Sequence, residues 1–145
     1  MALISCIENE PVPVFAFEEA KLVRSDGWIL TSELKQTEQG STDLFLARSG
    51  CVQDNVFTFY TDKKYVIAEG NSKCNTTDPS VKESGTWKME AGVLEMITSK
   101  QDTTAFMMAE LTDTRLKYST ILIANGVIVS KTTYTFQPAS ASSGQ

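Results

Sequence analysis

Residues 51–74 read CVQDNVFTFYTDKKYVIAEGNSKC, two cysteines enclosing two runs of aromatic and β-branched residues. Such side chains fit a pleated surface, so Val56–Tyr60 and Tyr65–Glu69 read as strands of a hairpin. With Asp62-Lys63 as a two-residue turn, Tyr60 opposes Tyr65, Phe59 opposes Val66 and Phe57 opposes Ala68. Phe57, Phe59, Val66 and Ala68 then share one face. The same register continued outward sets Cys51 opposite Cys74 on that face. Opposed residues of an antiparallel pair have Cα atoms roughly 4.5–5.5 Å apart, within the span of a disulfide. A Cys51–Cys74 bond is therefore expected, worth about 3 kcal/mol on the chain-entropy model. The alternative is two thiols packed as small hydrophobes. A bond implies an oxidising compartment, so the expected location is extracytoplasmic, in a periplasm, on an outer membrane or secreted.

The 145-residue chain fits one domain with a core of its own. Its net charge is −5, and the 13 basic residues form no run longer than Lys63-Lys64, which excludes a nucleic-acid footprint. No apolar run approaches the ~20 residues of a membrane helix. Histidine is absent. Ser-His-Asp and Cys-His catalysis and most zinc sites go with it, and no metal or cofactor is expected. Three cysteines leave one thiol beyond the expected bond.

Residues 1–26 carry Pro11, Pro13 and a helix-capable patch over 15–23; they read as a leader and linker covering one end of the domain. From Gly27 short Val-, Ile-, Thr-, Phe- and Tyr-rich runs alternate with turn residues, the texture of an antiparallel all-β domain. Strands are predicted at 28–35, 56–60, 65–69, 85–89, 93–98, 104–111, 116–123 and 127–136, and Ser41-Thr42 could cap a short helical turn over 43–48. With Ala91-Gly92 as a turn, Met89 opposes Leu94 and Trp87 opposes Met96. At Asn125-Gly126 a type I turn with a bulge is expected, aligning Tyr118 with Thr132 and Leu116 with Tyr134. Residues 138–145 read as a flexible tail.

The segments CVQDNVFTF, the second cysteine after the hairpin, GTWKMEAGVLEMITSK and AELTDTRLKYS together resemble the lipocalin-like domains of secreted bacterial lipoproteins. The resemblance covers about 27–137 and implies an eight-stranded up-and-down antiparallel β-barrel of calycin type, its interior filled by side chains or holding one small ligand. Leu3–Cys6, LISC, resembles a bacterial lipobox, which implies lipidation of Cys6 as the first mature residue. Only Met1 and Ala2 precede it, so that reading implies a trimmed export signal. It would also account for the third cysteine.

The chemistry left to the chain is sparse. Glu33 and Glu69 are expected to point away from the apolar face, and the acids give no general acid/base pair. Gln53-Asp54-Asn55 offers hard oxygens, but three short ligands make no calcium site. The inward face is expected to hold Trp28, Leu30, Phe57, Phe59, Trp87, Met89, Leu94, Met96, Phe106, Met108, Tyr118, Tyr134 and Phe136. Of these Trp28, Phe57, Phe59, Trp87, Met89, Met96, Phe106, Met108, Tyr118 and Tyr134 would line a pocket for a small hydrophobic ligand. The sequence thus points to a monomeric, noncatalytic protein that binds such a ligand and meets a membrane only through an N-terminal lipid anchor. The alternative is a cell-envelope interaction or accessory module whose barrel is filled.

Overall fold

Among the described residues, alternation of apolar and polar side chains builds nine strands: β1 Trp28–Thr37, β2 Gly40–Asp43, β3 Val56–Phe59, β4 Lys64–Ala68, β5 Val81–Glu90, β6 Val93–Thr98, β7 Thr103–Leu111, β8 Leu116–Ala124 and β9 Val127–Pro138. The computed structural model describes residues 17–47, 53–70 and 81–142. From β1 the sheet runs through β3 to β9 with antiparallel neighbours, and β1 then pairs with β9, closing an eight-stranded barrel. Closure removes the sheet edges that would otherwise be exposed. β2 is an extra strand outside the ring, paired with the far half of β1 from Leu34 to Thr37. The expected helical turn over 43–48 is thus replaced, in its described part, by the end of β2 and a bend. There the Asp43 carboxylate accepts the Phe45 and Leu46 N–H groups.

Turn chemistry sets the registers. Ala91 and Gly92 both have positive φ, 52° and 81°, as a tight two-residue hairpin turn requires. Trp87 accordingly opposes Met96 and Met89 opposes Leu94. The β3–β4 hairpin differs from the sequence reading by one residue: Phe59 opposes Tyr65 and Phe57 opposes Ile67. Its loop has three residues, closed by Tyr60 N–H on the Lys64 carbonyl at 2.8 Å, with Lys63 at φ 71°. The inner face of β4 is therefore Tyr65 and Ile67, not Val66 and Ala68. This shift also removes the register that set Cys51 opposite Cys74; both cysteines, like Cys6, lie outside the described residues.

The last hairpin is corrected too. Asn125 and Gly126, at φ 55° and 77°, make a plain two-residue turn, and the irregularity comes later, between Leu122 and Ile123. Tyr118 then opposes Tyr134 and Leu116 opposes Phe136. In β1 a bulge between Leu30 and Ser32 reverses the alternation, so Glu33 pairs with Tyr134 and is buried at 7% exposure. The Glu69 side chain is likewise buried at 1% exposure, with Lys82 Nζ at 3.6 Å. Neither acid is solvated as the sequence reading expected.

The barrel is filled unevenly. At one end Leu22, Trp28, Phe59, Trp87, Leu94, Leu111 and Leu116 are buried together. Trp28 Nε1–H donates to the Leu22 carbonyl at 3.0 Å and Trp87 Nε1–H to the Tyr60 carbonyl at 3.1 Å, so both indoles are buried without a lost hydrogen bond. Arg24 lies 5.4 Å over the Trp28 ring, donates to Asp26 at 2.9 Å and reaches the Asp113 carbonyl at 2.8 Å. The segment before β1 is thereby tied across this end. At the other end the β8–β9 tip carries Ile121, Leu122, Ile123, Val127, Ile128 and Val129, all exposed.

Candidate functional site

Beyond the filled end the barrel holds a cavity of about 250 Å³, lined by Leu30, Phe57, Tyr65, Ile67, Glu83, Met96, Thr98, Thr104, Phe106, Tyr118, Tyr134 and Phe136. The strands place these residues by parity. Phe57 comes from β3, Tyr65 and Ile67 from β4, Glu83 opposite Ile67 from β5, and Phe106, Tyr118, Tyr134 and Phe136 from β7, β8 and β9. The aromatic rings form a continuous wall. Phe106 and Tyr118 have centroids 4.4 Å apart, Tyr118 and Phe136 5.0 Å, and Phe57 meets Phe136 edge-on at 5.1 Å. Edge-on and tilted contacts suit the ring quadrupoles and hold the wall in place.

Polar groups converge on this wall. The Tyr65 hydroxyl donates to Glu83 Oε2 at 2.5 Å. Burial, and then Glu83, push the Tyr65 phenol well above its ordinary range. The Tyr118 phenol is raised as well, first by burial and then by the proximity of Tyr134, Glu83 and Tyr65. Both hydroxyls therefore stay protonated and remain able to donate across the physiological range. Three phenols and one carboxylate face one apolar space, which is how small-molecule sites combine affinity with orientation. Among the described residues no cluster of three or more His, Cys, Asp or Glu side chains could hold a metal.

Residues 20–139, most of the chain, match the family model described as Domain of unknown function (DUF5004). The chain belongs to this family. No curated protein matches it.

The DUF5004 barrel divides the residues that the sequence pattern placed inside it. Phe57, Met96, Phe106, Tyr118 and Tyr134 line the cavity. Trp28, Phe59, Trp87 and Met108 are buried in the packed core, and Met89 packs against that core while partly exposed. Sequence reasoning missed Tyr65, Ile67, Glu83, Thr98 and Thr104. The first two were lost to the one-residue shift of the β3–β4 hairpin. Glu83 lies four residues before Trp87 on the same face, in the part of β5 from Val81 to Ser84 that precedes the predicted start at Gly85. Asn55, in the Gln53-Asp54-Asn55 stretch, is buried at 8% exposure in this DUF5004 domain.

Proposed function

We propose that the protein is a noncatalytic, lipocalin-like small-molecule binder that uses the open half of its barrel. The observation that carries this is the convergence of Tyr65, Tyr118, Tyr134 and Glu83 on a cavity of about 250 Å³ above a fully packed barrel end. A barrel needing only stability would fill both halves, since each unfilled volume costs packing energy. The extracytoplasmic setting belongs to the same reading and draws on the LISC segment and the cysteines. Cys51 and Cys74 stand five and six residues in sequence beyond the paired Val56 and Ala68. Native mass spectrometry of the protein isolated from its own host tests the binder. A noncovalent adduct, absent from a Thr104→Trp variant that narrows the cavity, is expected. Bare protein, or one carrying only N-terminal acyl chains, would overturn it.

A second reading, an accessory module working through protein contact, draws on the exposed β8–β9 tip. Six apolar side chains there face solvent, more than scattered surface residues account for. If the tip docks on a protein partner, serine at Leu122, Ile123, Val127 and Ile128 abolishes co-purification of one defined partner while leaving cavity binding unchanged. Unchanged co-purification would exclude it.

A further inference from the structure

From the composition of the cavity wall we infer that the ligand is an organic cation: an ammonium group bound against Glu83 and the surrounding aromatic faces, on a small apolar body. This rests on the binding role proposed for the barrel and names the chemical class it serves. Of the twelve lining residues six are aromatic, one is acidic and none is basic. Glu83 accepts one bond, from Tyr65, and has no ion-pair partner among the described residues. Lys82, its neighbour in β5, is held instead by the buried Glu69 at 3.6 Å.

The charge balance decides between ligand classes. A carboxylate or phosphate ligand would meet no cation among the described lining residues and would face the Glu83 carboxylate, so its desolvation would go uncompensated. Glu83 is exposed at the mouth of the cavity, so an uncharged ligand would gain the apolar contacts and leave the carboxylate to solvent, with nothing gained from it. An ammonium group gains both the carboxylate and the negative charge of the ring faces, an attraction that strengthens as water is excluded. Phe57, Phe106, Tyr118, Tyr134 and Phe136 are the rings that line the same space, and the Tyr65 bond holds the carboxylate at one wall. The chain's net charge of −5 favours approach of a cation in the same sense.

The test uses three probes with one apolar body: hexyltrimethylammonium, 1-hexanol and hexanoate, titrated calorimetrically into the full chain. The cation is expected to bind at least about tenfold more tightly than the alcohol, with hexanoate weakest, and this advantage is expected to shrink as salt is raised. Glu83→Gln keeps an acceptor for the Tyr65 hydroxyl. It is expected to bring cation and alcohol within about threefold of each other while the alcohol affinity holds. If alcohol or hexanoate binds as well as the cation, or if Glu83→Gln leaves the ranking intact, the cation assignment fails and the barrel remains a binder. If no probe binds and Thr104→Trp changes nothing, the binding role fails and the cation assignment falls with it.

Discussion

The Tyr65 hydroxyl and the Glu83 carboxylate meet at 2.5 Å across adjacent strands, joining the packed aromatic core to the polar rim of the cavity. Tyr65 is almost fully buried, so its hydroxyl depends on this acceptor. Tyr65→Phe is expected to lower stability by about 1 kcal/mol, the usual worth of one such bond. Urea unfolding at neutral pH measures it.

The buried phenols set an alkaline limit. Tyr65 and Tyr118 have folded-state pKa values raised above the unfolded value near 10, chiefly by burial. Their contribution is complete below about pH 10 and is lost as pH rises toward the folded values, because only the unfolded chain can ionise them. Urea midpoints are therefore expected to hold to about pH 9.5, to fall above it for the native protein and to fall less steeply there for Tyr118→Phe.

Asp26 sets the opposite limit. The Arg24 hydrogen bond, offset in part by desolvation and aided by Ser140, lowers its pKa from 3.8 to about 2. Its contribution is present above the unfolded value and disappears as pH falls through about 2. The difference in thermal midpoint between native protein and Asp26→Asn is expected at pH 6 and should close by pH 2.

Leu22, at 0% exposure, belongs to the core although it precedes every described strand. Leu22→Ala is expected to cost about 3 kcal/mol, the scale of a buried Leu truncation, whereas a leader lying loosely over the barrel would show almost none. Urea unfolding separates the two outcomes.

Two glycines with similar positive φ divide strain from contact. At Gly27, φ 74°, an added Cβ would lie 2.6 Å from Val56 Cγ1 and 3.0 Å from the Phe57 carbonyl, whereas at Gly126, φ 77°, it would meet nothing. Gly126→Ala is expected to cost about 1 kcal/mol and Gly27→Ala distinctly more, about 2–3 kcal/mol, by thermal or urea unfolding.

The all-β class, the barrel strands and the β5–β6 register were legible because alternation and a Gly-containing tight turn are local signals. Features that depend on one extra residue were not. Lys63 closes a three-residue loop by adopting φ 71°, which no lysine signals in advance, and the shift moved Tyr65 and Ile67 inward. The bulge between Leu30 and Ser32 turned Glu33 inward by the same parity reversal. In the last hairpin the displaced irregularity set Tyr118 against Tyr134 rather than Thr132, assembling the wall of the cavity. Five of the ten residues expected to line a pocket do line it; the remaining inward residues fill the closed end, because sequence alternation specifies a face but not a depth along the barrel axis.

The most direct test of the binding barrel is methyl NMR of the full chain, with methionine methyls labelled, during titration with hexyltrimethylammonium. Met96 lines the cavity, whereas Met107 is half exposed on the outside of β7. Saturable shifts at Met96 with Met107 unmoved are the expected result. A Met96 methyl that stays put at every concentration of this cation and equally of 1-hexanol and hexanoate, or shifts confined to Met107, would contradict a ligand site inside the barrel.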